Sequence, residues 1–187
     1  MPELPEIETI KMQLQKVLVG QICARCQVLS AKYQLKEIEG KEVKEVKRLG
    51  KVLLINFGKD LDLGFHFKMT GQLVYIPSAK GQVLSARVVG GHPSDDFVAK
   101  LPNKHTRSIF EFEKGTLFFN DMRKFGWIKI NPKFTEALGP EPFSLTVSQF
   151  ISLVGKVKRP IKVAIMDQTI IAGVGNIYAN DALWEAG

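Results

Sequence analysis

Cysteine is scarce in this sequence: Cys23 and Cys26, set as C-x-x-C between Gln21 and Leu29, are all there is. A zinc site normally takes four ligands, and no second Cys pair or His pair at metal spacing accompanies them, so no metal is expected. On a strand, residues three apart point to opposite faces, which argues against a redox pair and for ordinary, partly buried thiols. Long apolar runs are lacking too; none approaches the roughly 20 residues that span a bilayer. The first residues are acidic, unlike a basic leader followed by an apolar stretch. The chain is therefore expected to be soluble and cytoplasmic, with no membrane partner. Acidic residues are in deficit, 19 Asp plus Glu against 26 Lys plus Arg, for a formal charge of +7. That balance favours an anionic partner such as nucleic acid or an anionic membrane surface. No internal repeat or low-complexity tract is present.

What is present suffices for real cores: 187 residues, 45% of them hydrophobic, allow one large domain or two small ones. Ile7, Ile10, Leu14, Val17 and Leu18 recur at helical spacing and predict an amphipathic helix from Glu6 to about Val19, stopped by Gly20. Short strand-like runs follow at Ile22–Leu29, Val43–Val46, Val52–Phe57, Leu63–Phe67, Gln72–Ile76, Ser108–Phe112, Leu117–Asn120 and Trp127–Ile130. One helix followed by about eight short strands argues for an α+β unit built on a β-sandwich or barrel. Glu113-Lys114-Gly115-Thr116 reads as a hairpin turn, and Pro77 to Lys104 as a long loop holding a short strand at Val83–Val89. Gly139-Pro140-Glu141-Pro142 marks a linker, after which helices are expected at Thr146–Val154, Pro160–Met166 and Ile177–Ala186. The expected domains are residues 1–133, a linker at 134–145 and a helical part at 146–187.

Several stretches carry chemistry. If Met1 is removed, Pro2 presents a secondary amine, and α-amino groups titrate near about 7.7–8.0, low enough to be nucleophilic at neutral pH. Such an amine attacks an aldehyde-like carbon and yields an iminium that acts as an electron sink. Glu3 stands beside it for proton transfer. The same Pro-Glu-x-Pro-Glu string is equally a plain helix start, with Pro5 in the first turn and Glu6 and Glu8 complementing the helix dipole. Gly173-Val174-Gly175-Asn176-Ile177-Tyr178 between two helices presents backbone N–H groups suited to a phosphate, or is simply a packed helical hairpin. In Asp121 to Trp127, Arg123 and Phe125 could meet base edges and wedge between stacked bases, or Phe125 and Trp127 could be core beside a solvated basic turn. His66, Lys68 and Met69 form a similar group, and Lys47-Arg48-Leu49-Gly50-Lys51 reads as a basic turn whose Lys51 suits a phosphate.

Taken in order, Pro2 to Thr9, Leu49-Gly50-Lys51, Asp121 to Trp127, and Met166-Asp167 through Gly173 to Tyr178 resemble the formamidopyrimidine-DNA glycosylase and endonuclease VIII family of base-excision repair enzymes. The Glu-Leu-Pro-Glu start is more similar to the purine-repair branch. The resemblance implies a two-layer β-sandwich domain, a linker and a helix-two-turn-helix domain, with damaged or abasic double-stranded DNA bound between the domains by a monomer. It implies a bifunctional glycosylase and abasic-site lyase acting on oxidised purines. Pro2 attacks C1′ of a flipped nucleoside, Glu3 handles protons, Glu6 assists, and β- and δ-elimination nick the strand. Lys51, His66 and Asn176 match positions that grip phosphates, with Lys68 and Tyr178 beside them on DNA. Met69, Arg123 and Phe125 match those that fill the gap left by the flipped base. The family's last helices, the loop over an oxidised purine and the four-cysteine zinc finger lie outside these 187 residues, so no cofactor is expected within them. Lys68 replaces a usual glycine and Asp181 a usual glutamate. The chemistry at Pro2 is thus the firmer expectation, with lyase action alone or non-catalytic binding of damaged DNA as the alternatives.

Overall fold

Leu4, Ile7, Ile10, Leu14 and Leu18 form one buried stripe of helix α1, Leu4–Leu18, because apolar residues at this spacing fall on a single helical face. A computed structural model of the protein describes residues 1–29, 35–78, 88–91 and 100–187. These divide into two compact units, Met1–Arg48 with Val52–Pro132, and Leu49–Lys51 with Lys133–Gly187. Among the described residues, no helix is long and apolar enough to cross a membrane.

Among the described residues, the first unit follows α1 with nine strands. They are β1 Cys23–Val28, β2 Glu45–Leu49, β3 Val52–Asn56, β4 Asp62–His66, β5 Gly71–Pro77, β6 Val88–Gly91, β7 Thr106–Phe112, β8 Gly115–Asp121 and β9 Trp127–Ile130. One sheet runs β1-β7-β8-β5-β6 and the other β2-β3-β4-β9. The two sheets share one core. Phe65 of β4 meets Phe110 of β7 edge-on at 5.7 Å and Phe119 of β8 at 5.8 Å, an arrangement the ring quadrupoles favour. Ile7, Ile10, Leu14 and Leu18 enter the same core. Helix α1 lies close to β6, where a Cβ on Gly90 would stand 2.2 Å from Ile10 Cγ1. Of the sandwich and the barrel that the strand pattern leaves open, the sandwich, which the family resemblance implies, is the observed α+β fold.

Two local expectations change. A β-bulge between Cys23 and Arg25 places Cys23 opposite Phe112 and Cys26 opposite Phe110, so the extra residue turns both thiols toward one core. Burial pushes both thiols up to about 12, with the negative charge of Glu39 adding to it, which leaves them protonated and unreactive. Strand β2 starts later than Val43 and takes in Lys47 and Arg48. Val43 instead exchanges backbone hydrogen bonds with Gly20 and Gln21, and the supposed basic turn shrinks to Gly50–Lys51. Most of the expected strand Val83–Val89 lies outside the described residues; its last two residues, Val88 and Val89, belong to β6, which pairs with β5.

The second unit contains α2 Val147–Val154, α3 Ile161–Met166 and α4 Asn176–Ala186. Thr146 caps α2 as expected: its Oγ1 accepts from the Gln149 N–H at 3.3 Å, and Gln149 returns a bond to the Thr146 N–H at 2.8 Å. Ile165, Ile171 and Ala179 make its small core.

Phe65→Ala should destabilise the sandwich unit by about 3–5 kcal/mol, whereas Phe65→Leu should cost much less. Urea unfolding checks this; equal losses for both would show that the ring contacts between the sheets, and not apolar bulk, carry the stabilisation.

Candidate active site and nucleic-acid interface

Pro2 and Glu3 are both buried at the mouth of α1. The helix begins there because Glu3 and Glu6 form a capping box, in which Glu6 Oε2 accepts from the Glu3 N–H at 2.8 Å. Met1 precedes Pro2, so the ring nitrogen is an amide here and becomes an amine only once Met1 is gone. The helix is tied down by Glu8, which accepts from Arg48 Nε at 2.7 Å and from Lys11 Nζ at 2.8 Å. These bonds outweigh partial burial and lower the Glu8 carboxyl below the usual range.

His66 ends β4, and Lys68 and Met69 lie on the loop from β4 to β5. His66 packs against Trp127 at 5.5 Å between ring centres, and its Nδ1 accepts from the Lys68 N–H at 3.1 Å. Lys68 is exposed and held at φ +49°, a left-handed conformation that L residues rarely adopt. Met69 is 48% exposed. Arg123 and Phe125 lie on the loop from β8 to β9, with the guanidinium carbon 4.7 Å from the Phe125 ring centre and Phe125 55% exposed. Phe125 is thus a projecting side chain and not core. The structure brings these two loops side by side.

Lys51 is buried and belongs, with Leu49 and Gly50, to the helical unit. There the Gly50 N–H donates to Glu141 at 2.9 Å, and a Cβ on Gly50 would touch Ala172 and the Gly173 nitrogen. Gly173 is at φ +96°, and Asn176 opens α4 with Tyr178 two residues on, both exposed. The segment before them is stitched by Gln168, whose Oε1 accepts from the Gly173 N–H at 2.9 Å while Nε2 donates to the carbonyls of Met166 and Val174. Asp167 accepts from the Thr169 hydroxyl at 2.7 Å and backbone N–H at 3.0 Å, and from Arg159 at 2.9 Å. Those bonds hold its carboxyl down at about 2. Nothing local to Arg48 or Glu8 announces a partner forty residues away, and no motif marks the bonds of Gln168 to the backbone of Met166, Gly173 and Val174. Cys23 and Cys26 do not fit a four-cysteine zinc centre, and among the described residues no three His, Cys, Asp or Glu side chains gather as one would need.

The two units correspond to two known domain types. The model of the formamidopyrimidine-DNA glycosylase N-terminal domain matches residues 1–128, and that of the formamidopyrimidine-DNA glycosylase H2TH domain matches residues 138–187. The chain belongs to the formamidopyrimidine-DNA glycosylase family. It is similar to the formamidopyrimidine-DNA glycosylases of Ligilactobacillus salivarius, at 35% identity over 98% of this chain, and Carboxydothermus hydrogenoformans, at 34% over 100%. It spans 66% of the length of each. Among solved structures it is similar to the Lactococcus lactis Fpg in complex with DNA containing an abasic site, with TM-score 0.76 and 28% identity over 97% of this chain and 66% of that one. A mutant of the same protein with DNA containing Fapy-dG matches with TM-score 0.76 and 29% identity, over 98% and 66%.

Lys68→Gly should relieve the left-handed residue and raise stability by about 0.5–1 kcal/mol after glycine's own entropy cost. The check is a higher urea midpoint at unchanged slope. Asp167 is more acidic in the folded chain than the usual value near about 3.9, so its stabilisation is complete above that pH and is lost as pH falls toward its folded value. Asp167→Asn should therefore melt about 2–4 °C below wild type at pH 6, the shift that roughly 1 kcal/mol produces in a chain of this size. The gap should narrow through pH 4 and close near pH 2; a pH-independent gap would remove the carboxylate charge as the cause.

Proposed function

We propose that the chain is a base-excision repair DNA glycosylase with abasic-site lyase activity on oxidised purines, working through a Schiff base at Pro2. The observation that carries this reading is the pairing of Pro2 with the buried Glu3 at the head of α1, in a chain of this family. Loss of Met1 makes the Pro2 nitrogen a secondary amine. It bonds to C1′ and loses its proton as the glycosidic bond breaks, and the C1′–O4′ bond then opens to leave the iminium, with Glu3 supplying protons for the departing base and for O4′. The resulting iminium acidifies C2′; loss of a C2′ proton then expels the 3′ phosphate as the C3′–O bond breaks, and a second elimination can break C5′–O. A damaged nucleotide must leave the stack to reach such a site.

The other assignments follow. Residues 1–133 form the catalytic domain, with Glu6 supporting the helix start, and residues 146–187 a DNA-binding domain joined by 134–145. Lys51, His66, Lys68, Asn176 and Tyr178 meet the DNA backbone, while Met69, Arg123 and Phe125 fill the space of the flipped base. The +7 charge supports a double-stranded DNA partner. The protein acts as a monomer in a bacterial-type cytoplasm.

Borohydride reduction of protein shown by mass spectrometry to begin at Pro2 should yield covalent adducts with duplexes containing an abasic site or 8-oxoguanine. Absence of both adducts would defeat the enzymatic reading, leaving a protein that binds damaged DNA, and an adduct with the abasic site alone would limit the activity to the lyase step. A tag placed before Pro2 should abolish trapping while leaving DNA binding in place; unchanged cleavage would point to another amine, such as Lys51.

A further inference from the structure

The two loops carrying Met69, Arg123 and Phe125 are fixed at both ends by strand register. One runs from β4 to β5 and the other from β8 back to β9, so each crosses between the two sheets. On one sheet His66 pairs with Trp127, and on the other Gly71 pairs with Asp121. The crossings therefore lie side by side at the same end of the sandwich.

Asp121 sits at the root of this pair and is 1% exposed. All its polar groups are engaged. Its N–H donates to the His105 carbonyl, and its own carbonyl accepts from Arg107 Nε, both at 2.9 Å. Carboxylate Oδ2 accepts from the Gly126 N–H at 2.7 Å, closing the second loop on itself. Oδ1 accepts from the Thr70 hydroxyl at 2.5 Å, and Thr70 Oγ1 accepts in turn from the Arg123 N–H at 3.1 Å. A Cβ on Gly126 would fall 3.0 Å from Asp121 Oδ2 and 2.9 Å from the His66 carbonyl oxygen, so the approach needs glycine there. One buried carboxylate thus joins the two loops.

We propose that Asp121, acting through Thr70 and the Gly126 N–H, is a positioning residue that holds Met69, Arg123 and Phe125 as a single preformed probe for the gap left by a missing or extruded base. This rests on the function proposed above. Exposed apolar side chains on free loops would have to be ordered on binding, and each ordering subtracts from affinity. The hydroxyl-carboxylate clasp meets that cost during folding. The probe's selectivity for a gapped duplex over an intact one then depends on a hydroxyl that touches no DNA in this scheme.

The experiment compares Thr70→Val, which keeps the shape but removes the hydroxyl, with Thr70→Ser, which restores it. Hydrogen exchange on the free protein reads the clasp itself. In Thr70→Val the Arg123 and Gly126 amides should exchange at least about tenfold faster while β3 and β7 amides are unchanged, and Thr70→Ser should restore slow exchange. Binding to a duplex with a stable abasic analogue should weaken about tenfold in Thr70→Val, with affinity for the intact duplex within twofold and Thr70→Ser close to wild type. Unaltered exchange in Thr70→Val, equal weakening on both duplexes, or a Thr70→Ser variant as poor as Thr70→Val would each overturn the proposal. Failure of the underlying functional reading shows separately, as wild-type protein that binds both duplexes alike. That result overturns the assigned role, while the exchange rates still report whether the clasp exists.

Discussion

Phe65 packed between Phe110 and Phe119 is the contact on which the rest of the first unit depends. It clamps the sheets face to face, and burying aromatic surface on this scale dominates the energetics of a small core. Once the sheets are clamped, every connection that crosses between them has fixed ends. The loops bearing His66 to Thr70 and Met122 to Gly126 are two such connections, so projecting side chains such as Met69 and Phe125 stand on a rigid base although they lie in loops. Exposure of apolar rings to water is unfavourable, and a cation over the Phe125 ring offsets part of that cost.

A second constraint acts at the start of the chain. Glu3 caps α1 with Glu6, and Glu8 reaches Arg48 on β2, forty residues away. The helix that carries Pro2 is therefore held at its first turn by backbone capping and by a salt bridge to a strand, as well as by its apolar stripe. A nucleophile at a helix mouth is only as well placed as the helix. Both readings of the first residues, as helix start and as candidate reactive terminus, describe the same atoms with complementary uses.

The helical unit uses polar side chains for a similar purpose. Gln168 spans three backbone groups around Gly173, and Asp167 gathers Thr169 and Arg159. The segment leading into Asn176 is thereby held by side chains that bond to its own backbone and to one another. Such satisfied local networks rigidify a turn whose glycines would otherwise leave it loose.

Residue pattern alone determined α1, nearly all the strands, the Glu113–Lys114 hairpin, the Thr146 cap and the family motifs, because periodicity, capping and turn chemistry are properties of neighbouring residues. It placed Phe125 beside Arg123 without deciding whether the ring was core or exposed. Tertiary structure alone decided that a bulge turns Cys23 and Cys26 to one side, that Arg48 serves Glu8, and that Asp121 joins two loops through Thr70, a residue fifty-one positions away. Those outcomes depend on strand register and on which polar groups meet once the sheets close. A hydrogen bond between distant residues leaves no local mark in the chain, whereas a helix writes its period into every turn.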